Sequence, residues 1–314
     1  MLAKQIIRIE TLLLSITILS LAAPCKGDEQ LPSKPLSLVY SFKEGKNRAI
    51  YLSDEEGKTR IKIVDSTSSD GYPAVSPTGE SVAFYGKYDK NKTWSIHTAD
   101  IDGKNVRRLT NDKNVRDSAP AWSPDGKTIA FAREYQDSNG AWQEEIWLMN
   151  TDGTEQRQIK ALNGLFPTFL QDGRILYQSK SSPSQISIAN IDGSNVIQLT
   201  KDDTDNMMPK ISPDGSQITY LSSRDGNQEV YIMNVDGSSH QRITKNDIQE
   251  WGPTWSSDGS KVIFSSENVH GFFDIYKANK DGTSIEKILN SGSQAATVYH
   301  LDKSYLEKSL KVKL

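Results

Sequence analysis

Cysteine is nearly missing from this chain. Cys25 is the only one in 314 residues, so no intramolecular disulfide can form. Histidine is scarce as well: His97, His240, His270 and His300 are scattered and form no Cys/His cluster. Neither G-x-S-x-G nor H-E-x-x-H occurs, which removes a serine-hydrolase elbow and a zincin site. A formal net charge of -3 leaves no Lys/Arg excess of the kind a phosphate-binding surface shows, so nucleic acid is not an expected partner. No long stretch carries a 3.6-residue apolar period, so a helical solenoid is not expected either.

Long apolar runs are confined to the start. Lys4 and Arg8 precede the run Thr11 to Ala23, which small residues and the polar KGDEQ follow, the layout of a secretory signal. Its thirteen residues fall short of the ~20 that span a bilayer. The expected organisation is a signal over residues 1–25, a linker over 26–36 and one folded unit over 37–314, with no transmembrane span once the signal is removed. Cys25 stands at the junction and is the lipidation candidate. The Ala22-Ala23-Pro24 before it departs from the lipoprotein pattern, so two forms stay open: a soluble periplasmic protein, or a lipoprotein tethered to a membrane.

The chain does hold repeats. PAWSPDGKTIAF (Pro120 to Phe131) returns as PAVSPTGESVAF from Pro73, PTFLQDGRILY from Pro167, PKISPDGSQITY from Pro209 and PTWSSDGSKVIF from Pro253, at intervals of 42 to 47 residues. Ser-Pro-Asp-Gly is type I turn chemistry, with Pro setting φ at the second corner and Gly at the fourth. β-branched and aromatic residues flank it, as in paired strands. A second turn follows at Asp102, Asp152, Asp192, Asp236 and Asp281, each before a glycine, and a last segment of the RRLT type ends each unit. Four antiparallel strands in such a length are a propeller blade.

Residues 38–65 match strands two to four of a blade whose inner strand is missing, and Ala295 to Leu306 overlies the inner hairpin of the other repeats. The expected fold is therefore all-β: a six-bladed β-propeller of four-stranded antiparallel blades, its ring closed by a C-terminal strand that completes blade 1.

The repeat P-x-W-S-P-D-G-K-x-I-A-F, with I-Y-x-x-x-x-D-G and R-x-L-T after it, resembles the repeats of the TolB family, WD40-like propellers of the bacterial envelope. The resemblance runs from about residue 37 to 306. It implies a six-bladed propeller, one that in the family's best-known member binds other envelope proteins. One departure is plain: the family's best-known member carries an α/β domain between signal and propeller, where this chain has only Lys26 to Ser37.

Three residues before each repeat proline stand Asp70, Asp117, Gly164, Asn206 and Glu250, with Gln294 at the matching place near the end. Repetition would arrange them around one mouth of the central channel, with Tyr72, Phe166, Met207, Met208 and Trp251 beside them. Carboxylates inside an apolar rim suit a basic or amphipathic peptide segment, so the partner-binding candidates are Asp70, Tyr72, Asp117, Phe166, Asn206, Met207, Glu250, Trp251 and Gln294. The alternative for Asp and Asn here is purely local, bonding nearby backbone to fix the loop.

The leading functional expectation is a non-enzymatic protein-binding scaffold of the periplasm or cell envelope that takes an envelope protein or peptide segment and needs no cofactor. The rival is a propeller lyase or glycosidase using axial carboxylates, with or without Ca²⁺, which takes oxygen ligands. A carbohydrate-binding module is a third reading and requires Trp94, Trp142 and Trp251 to stand exposed.

Overall fold

The computed structural model describes residues 36–44, 47–64, 69–87, 94–290 and 292–297. The expected signal, Cys25, His300 and the tail beyond Thr297 lie outside them. The first strand begins at Leu36, one residue inside the expected linker. Among the described residues every regular element is a strand: β1 (Leu36–Glu44), β2 (Asn47–Asp54), β3 (Arg60–Val64), then β4 (Gly71–Val75), β5 (Ser81–Gly86), β6 (Ser95–Asp100) and β7 (Arg107–Arg108). β8 (Arg116–Trp122), β9 (Thr128–Gln136), β10 (Trp142–Asn150), β11 (Arg157–Phe169), β12 (Ile175–Ser179), β13 (Gln185–Ala189) and β14 (Ile197–Gln198) follow. The last are β15 (Asn206–Ile211), β16 (Gln217–Ser222), β17 (Glu229–Asn234), β18 (Gln241–Arg242), β19 (Glu250–Trp255), β20 (Lys261–Glu267), β21 (Phe273–Asn279), β22 (Glu286–Leu289) and β23 (Gly292–Thr297).

The repeated turn is a small hydrogen-bond device. In the second full repeat the Ser123 hydroxyl donates to Asp125 at 2.6 Å, Asp125 accepts the Lys127 N–H at 3.1 Å, and Ser123 Oγ accepts the Thr128 N–H at 2.9 Å. The same three bonds recur around Ser212 and Asp214, and around Ser256 and Asp258. They hold Asp214 down to about pKa 2, the Ser212 hydroxyl being the main cause. Ser and Asp recur two apart because each satisfies what the other leaves open.

The aromatic that ends the phrase is the core of its sheet, and only Tyr177, buried opposite Ser187, has no ring across from it among the described copies. Tyr40, Phe84, Phe131, Tyr220 and Phe264 are buried, and each lies directly opposite an aromatic ring on the next strand. The pairs are Tyr40 with Tyr51 at 6.0 Å, Phe84 with His97 at 5.6 Å, Phe131 with Trp147 at 6.3 Å, Tyr220 with Tyr231 at 5.8 Å and Phe264 with Tyr276 at 6.0 Å. Such pairs add about 0.5–1.5 kcal/mol each beyond area burial. His97 is thus the aromatic member of a cross-strand pair.

The expectation of six separate four-stranded blades is not what forms. Four sheets have four strands each, in the orders β23-β1-β2-β3, β4-β5-β6-β7, β15-β16-β17-β18 and β19-β20-β21-β22, while β8 to β14 make one seven-stranded sheet. The cause lies after the outer strand. Where a unit ends in Thr110, Thr200 or Thr244, the threonine Oγ1 accepts the N–H of Ile96, Ile186 or Val230 and turns the chain away from its strand. Ile159 is followed instead by Lys160, and only four residues lead from there to Gly164, against seven from Thr110 to Asp117 and six from Thr200 to Asn206. The short link leaves one continuous strand, β11, which pairs first with β10, breaks register between Gln158 and Asn163, and then pairs with β12. Two repeats share one strand.

The inner strands follow one another around an axis in the order β4, β8, β11, β15, β19, β23 and back to β4. Five of them carry the same bulge. Between Ser118↔Ala132 and Ala121↔Ala130, β8 uses one residue more than β9, and β4, β11, β15 and β19 do likewise. The repeat proline sits in that unpaired gap, where a missing N–H costs no ladder bond. Just before it the backbone turns left-handed, at Tyr72 (φ 46), Ala119 (φ 49), Phe166 (φ 51), Met208 (φ 53) and Gly252 (φ 56). Only Gly252 adopts that geometry without a steric penalty.

The C-terminal strand closes the first sheet: β23 pairs antiparallel with β1 through Leu38↔Thr297, Val39↔Ala296 and Tyr40↔Ala295. Deleting residues 292–314 exposes that edge of β1. The expected result is a lower Tm together with self-association, read by thermal melting and light scattering; a monomer with unchanged Tm would show that the strand does not close the ring.

Candidate functional site

The ring of polar residues before the prolines exists, but it faces inward. Asp70, Asp117, Asn206 and Glu250 are at most 1% exposed. Asp117 receives a two-pronged bond from Arg133, Nε to Oδ1 at 2.7 Å and Nη2 to Oδ2 at 3.0 Å, and Arg133 also reaches Asp112 at 2.6 Å while its guanidinium lies over the Trp147 ring. The Asn206 amide donates to Gln185, Asp202 and the Thr204 carbonyl, fixing the link it ends. Glu250 accepts from Asn246 at 3.0 Å and Ser266 at 3.1 Å through Oε1, while Oε2 is buried with no hydrogen-bond partner among the described residues. Burial pushes its carboxyl up to about 7, and neighbouring Glu229 adds to the rise. Gly164 takes the remaining described place because a Cβ there would lie 2.0 Å from the Gln178 carbonyl oxygen. Of Gln294, only its place in β23 is described.

The apolar candidates meet across the axis. Tyr72 on β4 and Phe166 on β11 are not ring neighbours, yet their rings touch edge to face at 5.5 Å. Met207 and Trp251 pack with them in the same cluster, Trp251 against the Tyr72 hydroxyl. Burial raises the Tyr72 phenol above its usual range. The axis is therefore filled at this end, and the carboxylates stand behind that filling. Among the described residues, no three His, Cys, Asp or Glu side chains come together to hold a metal ion.

What this face does present is a cation–aromatic patch. Trp142 is 43% exposed. The exposed Arg116 guanidinium lies 4.8 Å from its ring centroid and 5.6 Å from that of Trp94, which Lys87 covers from 4.8 Å. Trp94 is half-buried and stacks on Tyr85 at 4.9 Å. Lys180 donates to the Trp142 carbonyl. A cleft of about 450 Å³ lies over β9, β10 and β11 beside the link from β7 to β8, lined by Asp112, Lys113, Tyr135, Glu145, Trp147 and Gln158. Of the three tryptophans a carbohydrate module would need, only Trp142 is exposed, since Trp94 is half-buried and Trp251 packs at the axis. Arg116 escaped sequence reasoning because it falls outside the repeated phrase, and Trp142 entered it only as a residue of the carbohydrate-module reading. The variable segment REYQDSNGAWQ, which runs from the end of β9 into β10, was the available signal.

Compared with protein families, residues 36–223 and 139–306 match the PD40 model, the TolB beta propeller domain. The chain belongs to this family. No curated protein sequence matches it. Among solved structures, TolB from Acinetobacter baumannii is similar at 19% identity and a TM-score of 0.72, over 83% of this chain and 65% of that one, which is less than two thirds of its length. A putative TolB from Agrobacterium tumefaciens is 21% identical with a TM-score of 0.64, over 83% of this chain and 92% of that one. An oligogalacturonate lyase from Vibrio parahaemolyticus shares 15% identity with a TM-score of 0.54, over 81% of this chain and 74% of that one. At such identities the likeness is one of fold.

Two predictions follow from burial. Asp117→Lys sets a second buried cation beside Arg133, and breaking a buried pair costs roughly 3–5 kcal/mol; the variant should lose that much in urea unfolding, and unchanged stability would mean the pair is solvated. For Glu250, the folded-state value near 7 lies above the unfolded one of about 4.3, so the folded protein binds the proton more tightly and stability falls as pH rises between them, by about 3 kcal/mol. Glu250→Gln should abolish this fall, so that the variant gains on the wild type between about pH 5 and about pH 8. Parallel pH profiles for the two proteins would contradict it.

Proposed function

We propose that this TolB-family chain is a non-enzymatic, protein-binding scaffold of the cell envelope, exported and held either in the periplasm or, through Cys25, at a membrane. Its partner is an envelope protein or peptide segment docking on the loop face that the sequence singles out. The observation that carries this reading is the exposed Trp142 indole under Arg116, beside Trp94 and the neighbouring cleft. An aromatic anchor and an arginine inside a polar surround are the residue types that dominate interface energetics. Asp70, Asp117, Asn206, Glu250, Tyr72, Phe166, Met207 and Trp251 then serve the same face from behind, holding its loops in place. An amphipathic segment fits it, with an apolar side chain against Trp142 and polar groups toward Arg116 and toward Glu134 and Glu144, which lie side by side across β8, β9 and β10 from Arg116. The fold also carries a lyase in a structural neighbour, but the patch supplies an anchor rather than a reacting group.

The test is affinity capture from a detergent extract of the source cell envelope, using the native chain and a variant with Arg116→Glu and Trp142→Ala. Both substitutions are exposed, so the Tm should hold. A specific envelope protein retained by the native chain and lost by the variant is the expected result. Equal retention by both would move the interface off this patch, and retention by neither would turn the reading toward a small ligand.

A further inference from the structure

At the opposite end of the axis from the aromatic filling, the inner strands leave a cavity of about 290 Å³. Its origin can be read position by position. The residue after each repeat proline lines it, and these are Ala74, Ala121, Thr168, Lys210 and Thr254: four small side chains and one lysine. The bulge before each proline shifts the strand's alternation, and the residue after it lines the axis. Trp122, Phe169, Ile211 and Pro213 supply apolar walls, and Lys210 is the only ionisable side chain among the described residues of the lining.

The Lys210 ammonium has no ion pair or hydrogen bond among the described residues. Its side chain keeps partial access because it borders the cavity, yet protein surrounds the charge closely enough for desolvation alone to bring its pKa down to about 8. A buried, unpaired charge is costly, and an anion delivered to it recovers that cost.

We propose that this cavity binds a small organic monocarboxylate, the carboxylate on the Lys210 ammonium with the Thr168 and Thr254 hydroxyls beside it, and a short apolar body against Trp122, Phe169 and Pro213. The volume sits at the small end of ligand sites, which restricts the body to about the size of one ring. The site is separate from the loop-face patch and requires no protein partner. Lys210 is cationic at pH 7, so affinity holds there and falls as pH rises through about 8; no other ionisable group of the described lining titrates against it.

Benzoate is the probe, with benzamide as its neutral counterpart, each titrated into the full chain by calorimetry. The expected result is saturable binding of benzoate but not benzamide, and a loss of at least tenfold in Lys210→Met at unchanged Tm. Reductive ¹³C-methylation of the wild-type lysines gives a readout that does not depend on the variant folding: the Lys210 resonance should titrate at a higher pH when benzoate is bound. Absence of saturable binding, equal affinity in Lys210→Met, or a Lys210 titration that benzoate leaves in place would each overturn the proposal.

Discussion

The bulge before each repeat proline is the constraint on which the rest of this molecule depends. Left-handed geometry at Tyr72, Ala119, Phe166 and Met208 costs on the order of 1–3 kcal/mol each, and it recurs in strand after strand. A cost repeated so regularly is sustained because it changes what the inner strands show one another. A regular strand would point every second side chain at the axis in one unbroken series. The bulge breaks that series half-way along, so that several inner strands contribute a large residue to the axis before the proline and all five bulged strands a different one after it. Before it come the large side chains of Tyr72, Phe166 and Met207, which fill one end. After it come alanine and threonine, which leave the other end hollow around Lys210.

Outside the axis, the sheets follow a simpler rule, and its one breach is instructive. Each unit must leave its outer strand and travel back to the inner position of the next. Thr110, Thr200 and Thr244 make this turn by capping the strand they leave. Lys160 has no hydroxyl and too short a link behind it, and the thirteen-residue β11 is the result. The join brings its own requirement, since the strand passes so close to β12 that the polar ring position becomes Gly164. A change of one link thus propagates to a place that reads in the sequence as a missing carboxylate.

Much of this was legible in the residues. The hairpin turns, the aromatic core position and the use of the C-terminal segment to complete the first sheet all follow from repeated chemistry at fixed spacing. The fused sheet was not, because repeat arithmetic counts units and is blind to whether a short link permits a turn; RQIK in place of RRLT was the trace it left. The bulge was also missed, although a proline inside every inner strand signalled it. The site was harder still. Asp117 and Glu250 look like a charged rim when they are counted three residues before a proline, and nothing in that count reveals that Arg133, on the neighbouring strand, folds over one of them or that Asn246 and Ser266 close around the other.

Repetition in a ring therefore marks architecture more reliably than it marks function. A residue type that returns in repeat after repeat, such as the Ser–Asp pair at Ser123, Ser212 and Ser256 or the polar residue at Asp70, Asp117, Asn206 and Glu250, is solving a problem that the repeats share. Function requires asymmetry, because a partner or ligand approaches one place rather than all of them. The informative positions are those where one unit departs from the others: Trp142 at the start of β10, Arg116 against it, and Lys210 where the other described repeats hold alanine or threonine. Each places a side chain with binding chemistry against a background of structural sameness, and together they mark two openings of the scaffold, Trp142 and Arg116 on the loop face and Lys210 at the turn-side end of the axis. A ring rigid enough to bury its own carboxylates can hold both sites in fixed geometry without either perturbing the other.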